Sequence, residues 1–245
     1  MGLTVVPCRP HISGMILRIA SYNIHKSKGS DGRFDPARVV AVINALGADV
    51  LALQEVDFRF RGRPSALPLA ALREGCALEP VALTPTGPDS LGWHGQTLLL
   101  RKGITLGRLD HLSLPGFEPR GALVADLDAG SGPLRLVGVH LGLRRADRRA
   151  QLAHIRARLR EDEAHPALII GDFNEWSHGK GLEALHGFQM TTPGFSYPAR
   201  APFGRLDRIA SGPGISVLRS GVFDSNLARR ASDHLPIWAD LRLVA

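Results

Sequence analysis

The chain has 245 residues, 44% of them hydrophobic and 22% charged, a composition that suits a folded globular protein with a sizeable core. It holds no repeat, no low-complexity tract and no apolar run long enough to span a bilayer, which excludes solenoid, disordered and helical membrane classes. The formal net charge is +7, suited to a polyanion such as nucleic acid or an anionic membrane surface, but only four of the 30 basic residues are lysine, and an arginine-rich, alanine-rich chain reflects a GC-rich genome equally well.

In chain order, residues 1–14 read as a flexible extension ahead of one domain over 15–245. Arg9, Pro10 and His11 interrupt any signal-peptide core. Cys8 and Cys76 form neither a disulfide framework nor a zinc spacing, so a reducing, cytoplasmic setting is expected. Apolar runs predict strands at 17–22, 50–53, 96–100, 122–127, 134–140, 167–170, 208–210, 215–220 and 237–243. Helical stripes fall at 36–46, behind the Asp35-Pro36 cap, and at 146–161. Shorter helices are expected near 67–73 and 181–185. Strands and helices alternate early and strands crowd later, which predicts a layered mixed α/β or α+β domain. The arginines of the 146–161 helix either face nucleic acid or, as the favoured reading, form a solvated face balanced by Asp147, Glu161 and Asp162.

Polar residues stand at the ends of these strands. Ala167-Leu168-Ile169-Ile170 runs into Gly171-Asp172-Phe173-Asn174, where alternation points an acid and an amide the same way. Alone, this is equally an Asx turn closing a strand. Yet Tyr22-Asn23-Ile24-His25, Gln54-Glu55-Val56-Asp57, Val139-His140, Leu206-Asp207-Arg208 and Ser232-Asp233-His234 occupy comparable places. Acids, amides and histidines gathered on one rim suit metal-assisted phosphoester hydrolysis. Glu55, with Asn23 or Asp233, offers oxygen ligands for Mg²⁺ or Mn²⁺. His234 is a candidate base or phosphate contact, with Asp207 to fix its tautomer. Asn174 and His140 are candidate donors to phosphate oxygens. There is no Gly-x-Ser-x-Gly elbow for acyl chemistry and no closely spaced His or Cys pair for zinc.

This ordered set resembles the endonuclease/exonuclease/phosphatase superfamily over about residues 15–245. The resemblance implies a four-layer α/β sandwich of the DNase I type, with two mixed sheets face to face and helices outside. It implies Mg²⁺-dependent attack of water on a phosphoester, most naturally a diester in nucleic acid, a phospholipid headgroup or a small molecule, carried out by a monomer. By position, Glu55 matches the metal ligand, Asn23 its neighbour at metal or phosphate, and Asp233 a second metal-side acid. His140 and Asn174 match phosphate contacts, Asp172 the acid on the water, and Asp207 the partner of the catalytic His234. Whether Asp172 or His234 is the base stays open.

Departures are informative. Gly95-Gln96 stands where many relatives carry Gly-Asn, so Gln96 is a candidate substrate contact with a longer reach, as is His25 at the first strand end. Glu55-Val56-Asp57 and Pro119-Arg120-Gly121 are more similar to a bacterial phosphodiesterase and sphingomyelinase-like branch. Arg120 is either a bidentate phosphate grip or a turn-capping arginine. Two loops read as specificity elements. One is basic, Arg59–Pro68; the other, Met190–Gly204, carries Phe195, Tyr197 and Phe203, which either stack on a base or lipid or pack the loop onto its own domain. The competing functional class is a catalytically silent binding protein on the same fold, supported mainly by Gln96.

Overall fold

The computed structural model describes residues 16–130 and 132–244. The expected extension at 1–14 lies outside the described residues. Chain order is β1 (Leu17–Asn23), α1 (Pro36–Leu46), β2 (Val50–Gln54), α2 (Leu69–Gly75), β3 (Glu79–Pro80), β4 (Gln96–Leu100), β5 (Thr105–Leu114), β6 (Arg120–Asp128) and β7 (Pro133–His140). It continues with α3 (Arg145–Arg160), β8 (Ala167–Asp172), β9 (Gln189–Thr191), β10 (Asp207–Ser211), β11 (Ile215–Val222), α4 (Asn226–Ala231) and β12 (Ile237–Leu243). Two six-stranded mixed sheets form, in the orders β11-β12-β1-β2-β4-β3 and β5-β6-β7-β8-β10-β9. The first uses both ends of the described chain; the second is one continuous stretch.

Side-chain alternation explains the layering. In β1, Leu17 and Ile19 face the space between the sheets with Val50 and Ala52 of β2, Leu98 and Leu100 of β4, Leu168 and Ile170 of β8 and Leu241 of β12. The intervening residues turn outward. Ala20, Tyr22, Leu51 and Leu53 pack under α1, whose Val39, Val40, Ile43 and Leu46 form its inner stripe. Val137, Val139 and Ile169 pack under α3 through Leu152, Ile155 and Leu159. Both faces of the central strands are therefore apolar, as helix-covered sheets require. The result is the expected four-layer sandwich.

The first helix matches its expected bounds because its caps are strong. The Asp35 side chain accepts from the Arg38 amide at 3.0 Å, Pro36 opens the first turn, and Gly47 closes it in the left-handed region. Several elements depart from the sequence reading, among them strands β3 and β9, of two and three residues, too short to leave a period. The helix expected at 181–185 is a short 3₁₀ turn, Glu183–Leu185, because Gly181 at φ +88° breaks the helical path. The edge strand β5 and the helix α4 carry too little apolar pattern to stand out. The arginines of α3 are not simply solvated: Arg148 is buried, its guanidinium donating to Glu175 at 2.6 Å and to the Leu143 carbonyl at 2.6 Å.

Candidate active site

The apolar layer between the sheets turns polar at one rim. Continuing the inward-facing positions of each strand gives Asn23, Gln54 and Gln96 in one sheet and His140, Asp172 and Asp207 in the other. Strand register sets their spacing. His140 lies opposite Asp172 across the parallel β7–β8 pair, and Asp172 lies opposite Asp207 across the antiparallel β8–β10 pair. These three side chains therefore stand in one row on one face. Gly171 makes the row possible. At φ +154°, a Cβ there would sit 1.9 Å from the Val139 carbonyl oxygen, so only glycine lets β7 and β8 pair at this point.

Around that row the polar groups are closely connected. Asn23 donates through Nδ2 to Asp172 Oδ2 at 3.1 Å, bridging the two sheets. The Asn174 amide donates to Asp172 Oδ1 at 2.9 Å, and Asn174 Nδ2 donates to the Leu141 carbonyl at 2.9 Å. His234 Nδ1 donates to Asp207 Oδ2 at 2.8 Å, while its Nε2 lies 3.7 Å from Asp172 Oδ2. Asp207 Oδ2 also accepts from the Ser196 hydroxyl at 2.5 Å. On the other flank, His140 Nε2 is 3.6 Å from Asp172, and Arg120 Nη1 is 3.0 Å from both ring nitrogens of His140. Arg120 is fixed from behind by Glu118 at 2.7 Å.

These contacts set protonation. Burial disfavours charge on His234, but the carboxylates of Asp207 and Asp172 outweigh it and raise its pKa, so it is an imidazolium at neutral pH. Burial is the first cause that raises Asp172, joined by repulsion from Asp207 and opposed by His234. His140 is neutral, because burial and then the Arg120 charge lower its pKa well below the ordinary histidine value. Burial also pushes against ionisation of Glu55; with His140 neutral, the Lys26 ammonium on its carboxylate is what holds its pKa below the ordinary glutamate value.

Glu55 and His140 line a cleft of about 160 Å³ with Lys26, Arg59, Arg63 and Arg120 among its walls. The Lys26 ammonium rests on the Glu55 carboxylate, so this buried-edge acid already holds a cation. Among the described residues Asn23 Oδ1 accepts from the His25 amide, at 3.0 Å, and the half-exposed Asp233 carboxylate stands 3.7 Å from His25 Nδ1. Such an all-oxygen donor set fits a hard divalent ion. Asp172, Asp207 and His234 also bring ligand atoms within 4.8 Å of one another. In that trio, Asp207 is spent on His234 and Ser196 and a doubly protonated imidazole has no lone pair to offer a metal, whereas the cation at Glu55 is a lysine side chain that an ion can displace, so the fit is better at Glu55. Glu55, His25 and Lys26 all have positive φ, a strain of roughly 1–2 kcal/mol per residue that tertiary structure must hold in place.

Every sequence-predicted site residue lies at this rim, but Gln96 departs from its expected role. It is buried, and its Nε2 donates to the Gly121 carbonyl of β6 rather than opening onto the cleft. Its register with Gln54 turns it between the sheets, where it ties one to the other. Sequence reasoning missed Lys26 and Ser196, and leaves Tyr197 open between stacking on a ligand and packing onto its own domain; its ring packs tilted against His234, at 4.8 Å between centroids. Arg59 and Arg63 belong to the basic loop and Ser196 and Tyr197 to the aromatic loop, so the loops were visible while the individual contacts were not.

A two-sheet sandwich with acids, amides and histidines on one rim defines a phosphoester hydrolase. The chain belongs to the endonuclease/exonuclease/phosphatase family, whose model matches residues 20–234. It is 28% identical over 250 residues to the uncharacterized protein YbhP of Escherichia coli K12, covering 92% of this chain and 96% of that one. The fold is similar to that of a functionally unknown conserved protein from Enterococcus faecalis V583, with a TM-score of 0.76 at 19% identity, covering 93% and 100% of the two chains. It is likewise similar to a mannosyl-6-phosphatase of Bacteroides thetaiotaomicron VPI-5482, with a TM-score of 0.73 at 16% identity, covering 92% and 99%.

Proposed function

We propose that this protein is a Mg²⁺-dependent phosphodiesterase that attacks its substrate with a water activated by Asp172. The observation that carries this reading is the row His140–Asp172–Asp207, closed by His234 at 2.8 Å from Asp207. Glu55, with Asn23 and Asp233, would hold Mg²⁺, or Mn²⁺ in its place. When bound, the ion neutralises phosphate charge and the negative charge that develops on the leaving oxygen.

The remaining roles fall to the chain itself. Burial raises the proton affinity of Asp172, which makes it a stronger base than an ordinary carboxylate. It takes a proton from water as the water oxygen bonds to phosphorus and the bond to the leaving oxygen breaks. The His234 imidazolium, held by Asp207, and the neutral His140 present N–H groups where nonbridging phosphate oxygens build charge. Asn174 Nδ2 has a second hydrogen free of Leu141, and Arg120 flanks the same space. His25 sits between the Glu55 and Asp233 carboxylates as a further substrate contact.

Turnover of bis-p-nitrophenyl phosphate with Mg²⁺ tests this. Asp172→Ala and His234→Ala are each expected to lower kcat by roughly 10²–10⁴-fold. Activity unaffected by either change would refute the reading, whereas no turnover by the wild type together with no Mg²⁺ binding in calorimetry would favour a silent binding protein.

A further inference from the structure

Large apolar side chains are exposed mostly at one end of this molecule, the end that carries the site. The loop after β2 presents Phe58 and Phe60, the latter 80% exposed. The loop before β6 presents Phe117 at 75%, and the one after β7 presents Leu143 at 64%. Trp176 follows β8, and Phe203, 64% exposed, precedes β10. Each of these loops leaves a strand end that bears a site residue: Gln54-Glu55, Arg120, His140, Asp172 or Asp207. Topology therefore sets the apolar tips around the cleft. Tyr197 links them to it, touching both Trp176 and His234.

The tips are interleaved with positive charge. Arg59, Arg61 and Arg63 alternate with the phenylalanines of the first loop. The Arg144 guanidinium lies 4.1 Å over the Phe117 ring and that of Arg205 lies 4.4 Å over Phe195. The aromatic loop carries Arg200 and Arg205 and no acid between 192 and 206. Monomeric proteins seldom expose this much apolar surface in one region without using it. Aromatic bodies with arginine heads beside them match a bilayer interface, where rings sit at the headgroup level and guanidinium groups reach phosphates.

We propose that this rim docks onto an anionic lipid surface, placing the cleft against the headgroups. Two observations favour a membrane over a nucleic-acid strand. Leu143 is aliphatic and offers no ring for a base to stack on. The apolar tips also come from separate loops on both sheets, which suits a broad flat partner better than a single track. The contact would be driven by shallow apolar burial of the loop tips and by charge together. The proposal adds a lipid setting to the phosphodiesterase reading, and vesicle binding is measured apart from turnover.

The test is co-sedimentation of the whole protein with sucrose-loaded vesicles of phosphatidylglycerol or of phosphatidylcholine, at low and high salt. Binding to the anionic vesicles, weakened by salt and by phosphatidylcholine, is expected. The triple variant Phe117→Ser, Leu143→Ser, Phe203→Ser should bind at least about tenfold more weakly. It should keep its circular dichroism and its hydrolysis of soluble bis-p-nitrophenyl phosphate. Equal binding by variant and wild type, absence of vesicle binding, or tighter binding to a single-stranded oligonucleotide than to anionic vesicles would each overturn the proposal. Loss of turnover with vesicle binding intact would strike the catalytic reading instead.

Discussion

Asp172 and His234 share one electrostatic problem. Two buried carboxylates, Asp172 and Asp207, face one imidazole, and their charge keeps it protonated. A base at Asp172 must be ionised, so turnover should fall as pH drops through a pKa above the ordinary carboxylate value. A cationic His234 must keep its proton, so turnover should also fall as pH rises through its elevated pKa. A bell-shaped kcat/KM profile with a broad neutral plateau is therefore expected. Were His234 the base, activity would instead rise only on passing its elevated pKa. Gly171 belongs to the same scale. Gly171→Ala forces a Cβ onto the Val139 carbonyl, and a loss of about 3 kcal/mol or more is expected in urea unfolding. The Gly-Asp-x-Asn run is legible in sequence because each of its residues has a local geometric duty. Lys26 is not, since nothing local says that its ammonium will meet Glu55 twenty-nine residues away.

Helix α3 shows how an element is tied to the site. Glu175, next to Asn174, is fully buried and accepts from Arg148 at 2.6 Å and Arg145 at 2.9 Å. Burial works against its charge, but bonds from Arg145, the Ser177 amide and Arg148 hold its carboxyl at about 2. Its folded pKa is thus depressed. The stability it adds is present above the ordinary glutamate value and is lost as pH falls toward 2. Glu175→Ala should cost about 3–5 kcal/mol by leaving Arg148 buried without its partner, with the loss shrinking in acid. Denaturant midpoints measured across pH check both statements. Elements with two apolar faces or strong caps, such as β8 and α1, were legible. Edge strand β5 was not, because all of it but Leu114 is exposed or half-buried and only pairing with β6 makes it a strand. Gln96 was misread for a related reason: its role depends on which sheet face it meets, which register decides.

At the scale of the whole molecule, the proposed ion site at Glu55 lies at the rim, beyond the apolar core between the sheets, so chelation should stop turnover while leaving the fold intact. Mg²⁺ at ten times its Kd would add about 1.4 kcal/mol, a rise in Tm of about 3–6 °C, readable by calorimetry with and without EDTA. A large unfolding on chelation would mean that the ion is structural. The layered class was legible from strand and helix alternation, and the rim from the order of its polar residues. The assignment of strands to two sheets was not, since it follows from long-range pairing. That pairing also has a temporal side. The second sheet runs unbroken from residue 105 to 211, but the first joins β1 to β12, setting Leu17 beside Leu241. As the chain leaves the ribosome, the second sheet can close on itself while β1 still waits for its neighbour. Asp233 and His234 emerge only just ahead of that last strand. The growing polypeptide therefore gathers the whole rim only once β12 has emerged to pair with β1, so under the proposed function turnover waits on the arrival of residues 233–243.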